Sequence, residues 1–278
     1  MRPRRHSTRV VLNVFAGIVF VACVFPVYWM FNTSFLRGVD IIAPTPRLTP
    51  IGGTLENYRK VFHHGDFVTA LGNSLMVTVA TVTASLLLAV LAAFALSRFR
   101  FRGRKTLVVT VLVIQMVPPE AMVISLFKVL DAWQLLNTVL GLTLVYVMLV
   151  LPFTIWTLRG FVAGIPVELE EAAMVDGCGR LRAFWKVTLP LMAPGLVATA
   201  VYGMIQAWNE FVFSLVIMNR PEHQTLPVWL QSFNEGAKGT DWGGVMAGST
   251  LMSLPVLIFF LVVQSRMAQG LTAGAVKG

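Results

Sequence analysis

Residues 166–190 read PVELEEAAMVDGCGRLRAFWKVTLP, a long polar stretch set between two apolar runs. A plain connector between membrane spans needs only a few polar residues; this stretch has the grammar of a folded unit. Pro166 fits the first turn of a helix, where its missing N–H costs nothing. Glu168, Glu170 and Glu171 lie near the positive end of that helix, where carboxylates are favoured. Leu169, Ala172, Ala173 and Val175 supply an apolar flank at helical spacing. Gly177 follows Asp176, and glycine readily takes the left-handed conformation that stops a helix. Residues 180–188 then restart the pattern and carry Arg180, Arg182 and Lys186. The stretch therefore predicts a short helix, a glycine break and a second helix. Periodicity alone fits a solvated amphipathic loop equally well.

On either side of this stretch the chain is a membrane sequence. Its 278 residues are 56% hydrophobic and 13% charged, whereas soluble domains carry about a quarter charged residues. Apolar runs near 11–31, 74–96, 106–127, 138–158, 190–218 and 245–265 each approach the ~20 residues that cross a bilayer. The expectation is an all-α membrane protein of six spans in one domain, 1–278.

The net charge of +9 follows the membrane sides rather than a nucleic-acid surface. Arg2, Arg4, Arg5 and Arg9 precede the first run. Arg98, Arg100, Arg102, Arg104 and Lys105 follow the second with no acid among them, and Arg159, Arg180, Arg182 and Lys186 flank or occupy the 166–190 stretch. The opposite connections are poorer in Lys and Arg. Positive-inside bias places both termini and residues 166–190 in the cytoplasm. The first run is expected to be retained, because Tyr28, Trp29, Met30 and Phe31 offer no small-residue cleavage site. Cys23 and Cys178 fall in a span and a cytoplasmic loop, so no disulfide is expected. Four scattered histidines suggest no metal site.

Along the chain, residues 32–73 form a long external connection. Thr54 is a fair cap for a short helix through Phe62. Ala84, Ala89, Ala92, Ala93 and Ala95 give the second span small faces for close packing. Pro118-Pro119 predicts a break in the third span, since two backbone donors are missing. Gly270, Gly274 and Gly278 leave a short tail that does not fold alone.

Glu171-Ala172-Ala173, three residues, Gly177, nine residues, Val187, one residue and Leu189-Pro190 resembles the EAA motif of ABC importer permeases, with valine where isoleucine is common. ENYRKVF at 56–62, Asn73-Ser74, LPFTIWTLRGF at 151–161, WNEF at 208–211 and GLTAGAVKG at 270–278 are similar to the MalG-type permease of carbohydrate-importing ABC transporters. The likeness runs from residue 54 to 278. It implies a type I ABC importer permease fold in a bacterial plasma membrane. Residues 166–190 become a coupling helix that meets an ATPase through Glu171, Ala172, Ala173, Asp176, Gly177, Leu189 and Pro190. It also implies that Leu271, Thr272 and Lys277 of the tail touch the ATPase dimer. The implied partners are a second homologous permease, two nucleotide-binding subunits that use ATP and Mg, an extracytoplasmic solute-binding protein and a sugar.

Of the 13 acidic residues only Glu120 and Glu210 fall within the expected spans. A centred carboxylate costs about 3 kcal/mol to insert, so each is expected to face protein or water. Gln206, Trp208, Asn209 and Glu210 combine hydrogen-bonding groups with an aromatic ring, as a sugar pathway requires. Helix packing is the competing role for the same residues. No G-x-x-x-x-G-K-[ST] loop is present, so the chain is expected to be a transport subunit and not an enzyme, without a cofactor of its own. Two alternatives stand beside the sugar importer: a carrier driven by an ion gradient through Glu210, and an ABC permease for a non-sugar solute.

Overall fold

The computed structural model describes residues 6–63, 66–234, 236 and 239–275, with side chains described between 10 and 264. Regular structure among the described residues is helical, with one isolated bridge between Asn234 and Thr240. Four helices are long and apolar enough to cross a membrane: Val10–Ser34, Phe67–Arg98, Val139–Gly164 and Trp242–Gln264. Two bent pairs raise the count to as many as six. Arg104–Ile114 turns by 90° into Pro119–Ala132, and Arg180–Leu191 turns by 69° into Ala193–Asn209. The chain divides into two compact units, residues 1–67 with 230–254 and residues 68–229 with 255–278.

The first unit is fastened at the end of its first helix. Asn57, buried in the Glu56–His63 helix, donates to the carbonyls of Ser34 at 2.9 Å and Leu36 at 2.8 Å. Tyr58 and Ser34 share a hydroxyl hydrogen bond of 2.8 Å, and Val61 is fully buried. Thr54 accepts from the Glu56 N–H at 3.1 Å, the cap its position predicts. Lys60 pairs with Asp241 at 3.1 Å. Gly243 is required here, because a Cβ would collide with the Asn57 amide. The ENYRKVF stretch is thus a clamp on the end of the first helix. The most apolar 18-residue stretch of that helix, by contrast, buries none of its residues.

The second unit holds two apolar clusters. One joins Val77, Leu142, Tyr146, Ala207, Phe213 and Ile217. The other joins Ala89, Ala93, Phe94, Leu158, Val162, Phe184 and Met192. Thr81, Ser85, Ala89 and Ala93 recur every fourth residue on the buried face of the Phe67–Arg98 helix. Small side chains at that spacing allow close helix approach. The Ala193–Asn209 helix lies against Val139–Gly164. Gly195 gives room to Phe161 there, since a Cβ would sit 2.6 Å from its ring. Asn73 donates to the carbonyls of Glu222 at 3.3 Å and Gln224 at 3.1 Å, and Ser74 accepts from the Leu226 N–H at 2.8 Å. That pair ties the connection after residue 217 to the start of the long helix.

Several expected boundaries move. The second long helix begins at Phe67 rather than 74, because Phe67 and Ala70 already bury a face. The third run stops at Ile114, and Pro118-Pro119 opens a separate turn at right angles. The fifth run, expected unbroken over 190–218, ends one helix at Asn209 and starts another at Val212. The last helix continues to Ala275, so its end carries on the helix where a loose tail was expected. Met267, Ala268, Gln269 and Leu271 favour that continuation by propensity.

Candidate functional site

The 166–190 stretch folds as its residues dictate. Pro166 is extended (φ −55, ψ 131) just ahead of the Val167–Val175 helix, with Glu168 and Glu170 in the first turn. Gly177 ends the helix at φ +90. Its N–H donates to the Met174 carbonyl at 3.1 Å, and the Cys178 N–H to Ala173 at 3.0 Å. These two bonds make a Schellman turn, which needs the left-handed residue that glycine supplies. A Cβ on Gly177 would meet nothing, so only the backbone angle selects glycine. Arg180–Ala183 and a π turn, Phe184–Thr188, then lead into Leu189–Leu191.

Glu171, Ala172, Asp176 and Gly177 lie exposed on the outward side of this helix, and Ala173 is half-buried. Val175, 88% exposed, Leu181 and Trp185 add an uncovered apolar margin. Leu189 packs on the second apolar cluster and Pro190 is exposed at the far end of the loop. Motif residues 171–177 therefore share one accessible shoulder, while Leu189-Pro190 closes the loop onto the next helix.

Glu170, one residue before the motif, turns the other way. It is 5% exposed and takes the Arg98 Nε at 2.7 Å and the Thr188 hydroxyl at 2.6 Å on the same carboxylate oxygen. The Arg98 Nη2 also donates to the Ile165 carbonyl at 2.9 Å. Glu170 lies three and four residues before half-buried Ala173 and Met174 and shares their side of the helix. Its partner, 72 residues away, carried no sequence signal.

A second group surrounds Glu210. The residue is extended (φ −69, ψ 127) at the break between two helices. Its carboxylate accepts from the N–H groups of Phe213 at 2.9 Å and Ser214 at 3.1 Å, and from the Tyr146 hydroxyl at 2.8 Å. Carboxylate acceptors satisfy the orphan amides of the helix that starts at Val212. Gln206 and Asn209 are exposed, and Asn209 donates to the Ile205 carbonyl at 2.9 Å. Trp208 is 2% exposed, on a different side of the helix from Gln206 and Asn209. The four residues do not form one patch: two face out, Glu210 bridges the break, and the indole is in the core. Glu120 lies exposed in the 3₁₀ turn Pro119–Met122. Leu271 and Thr272 fall in the last turns of the final helix, and Lys277 lies outside the described residues.

Residues 85–273 match the family described as binding-protein-dependent transport system inner membrane component. The chain is 48% identical over 270 residues to the diacetylchitobiose uptake system permease protein DasC of Streptomyces coelicolor, covering 97% of this chain and 98% of that one. It is 35% identical to the trehalose/maltose transport system permease protein MalG of Thermococcus litoralis, over 97% of each. In three dimensions it resembles a chain of a bacterial ABC transporter involved in the import of the acidic polysaccharide alginate. The TM-score is 0.81 at 26% identity, over 95% of this chain and 99% of that one.

Proposed function

This chain belongs to the family of binding-protein-dependent transport system inner membrane components, and on that premise we propose that it is one permease subunit of an ATP-driven importer for a sugar or oligosaccharide. The relatives named for diacetylchitobiose and for trehalose/maltose, matched nearly end to end, carry the assignment of substrate class. The chain supplies helices for the pathway, and separate nucleotide-binding subunits supply the energy from ATP and Mg. A homologous second permease completes the pathway, and an extracytoplasmic solute-binding protein delivers the sugar. Both termini and residues 166–190 face the cytoplasm, as the basic connections favour.

The exposed shoulder Glu171, Ala172, Asp176 and Gly177 is the surface offered to an ATPase subunit. Two short helices locked by a left-handed glycine form a rigid knob, suited to follow a moving cleft. Leu189-Pro190 carries that motion into the helix from Ala193. Gln206 and Asn209 line the sugar pathway, with Glu210 fixing the helix break beside them. Leu271, Thr272 and Lys277 reach the ATPase dimer from the end of the last helix.

Uptake by the complex reconstituted in vesicles is the test. With binding protein present, uptake requires ATP and continues when ion gradients are collapsed. Uptake driven by a proton or sodium gradient without ATP overturns the reading in favour of a secondary carrier.

A further inference from the structure

We infer that Arg98, Glu170 and Thr188 form a latch that makes the 166–190 loop and the end of the Phe67–Arg98 helix one mechanical piece. This inference rests on the importer reading and names the helix that receives the stroke. The Arg98–Glu170 pair is the only salt bridge among the described residues with both side chains well buried, at 12% and 7% exposure. Arg98 is the last residue of its helix, where a cation complements the helix dipole. From there its planar fork reaches two acceptors on different elements. Nε holds Glu170 in the loop helix, and Nη2 holds the Ile165 carbonyl at the exit of the Val139–Gly164 helix. Thr188 fastens the same Glu170 oxygen from the return limb of the loop. Four segments thus meet at one carboxylate and one guanidinium.

The latch sits beside a packed apolar floor. Phe94, one turn before Arg98, packs against Phe184 of the return limb at 4.3 Å between ring centroids, the rings tilted by 47°. A contact of dispersion alone lets a loop slide. Directional, charge-assisted hydrogen bonds in a desolvated site fix its position. A displacement of the exposed shoulder, one helix face away from Glu170, is therefore passed to the Phe67–Arg98 helix rather than absorbed in the loop. Arg98, Glu170 and Thr188 are positioning residues: they touch neither sugar nor nucleotide.

The test uses the assembled complex, purified through a tag on this chain, and reads uptake per ATP hydrolysed. Arg98→Lys keeps the charge but lacks the fork that reaches two acceptors. Thr188→Val keeps the shape and removes one hydrogen bond. For Arg98→Lys, hydrolysis persists while uptake per ATP falls about tenfold, the factor expected for losing one charge-assisted hydrogen bond. For Thr188→Val the loss is a few-fold, on the scale of one neutral donor. If Arg98→Lys does not assemble, Thr188→Val decides by the same ratio. A wild-type ratio in whichever variants assemble, even with lowered yield or Tm, overturns the latch and leaves the pair a packing feature. Wild-type complex is the control: if it shows no ATP-driven uptake, the importer reading fails and the latch with it.

Discussion

At Glu210 both carboxylate oxygens are already occupied as acceptors, Oε1 by the Phe213 N–H and Oε2 by Ser214 N–H and the Tyr146 hydroxyl. Glutamine keeps the size but must turn its NH₂ toward one of these donors. Glu210→Gln is therefore expected to lower the stability of the complex by about 1.5–3 kcal/mol, the cost of a lost charged hydrogen bond. Tyr146→Phe, which removes a single donor to the same carboxylate, costs a similar amount, about 1.5–3 kcal/mol. Thermal unfolding and uptake measured on one preparation check both; an unchanged Tm with lost uptake for Glu210→Gln would reject the capping role. The sequence marked Glu210 as costly to bury and in need of partners. It did not show a helix break, since neither proline nor glycine stands at 209–212. Trp208 misled for a related reason. Trp208 and Asn209, adjacent in the last turn of the helix, point about 100° apart, so the buried indole and the exposed amide do not face one solute.

The loop helix was legible nearly to the residue from acids in the first turn and glycine at the stop, although Pro166 stands just ahead of the first turn and the apolar flank Leu169, Ala172 and Val175 is exposed. Gly177 at φ +90 with open space around it makes the clean test. A valine there pays the left-handed penalty of roughly 1–2 kcal/mol, with open space around its Cβ, whereas asparagine tolerates the angle. Gly177→Val is expected to hydrolyse ATP with uptake reduced severalfold, while Gly177→Asn stays near wild type. Equal uptake per ATP in the two variants would show that the turn does not set the shoulder. The element boundaries were less legible wherever tertiary contacts decide. Phe67 starts its helix early because the first turns already find a buried face, and periodicity cannot date that event. Pro118-Pro119 announced the break in the third run, but the 90° turn depends on packing that the two prolines only permit.

On the scale of the molecule, the last helix is longer than a bilayer needs. Trp242–Gln264 already supplies 23 residues of predominantly apolar helix, against about 20 for a crossing. The helix then runs on to Ala275, about 16 Å further at 1.5 Å per residue. In the proposed topology, where each bent pair is one span, this extension lies on the same side as residues 166–190, the side on which the ATPase subunits are proposed to dock. A helical extension holds its residues at a fixed distance from the membrane, which a frayed tail does not. Deleting residues 272–278 is therefore expected to leave membrane insertion and complex assembly intact and to lower sugar-stimulated ATP turnover severalfold. Full turnover and uptake after the deletion would show that Leu271, Thr272 and Lys277 take no part in closing the ATPase dimer. Loss of assembly instead would make the extension an anchor for the ATPases rather than a regulator of their closure.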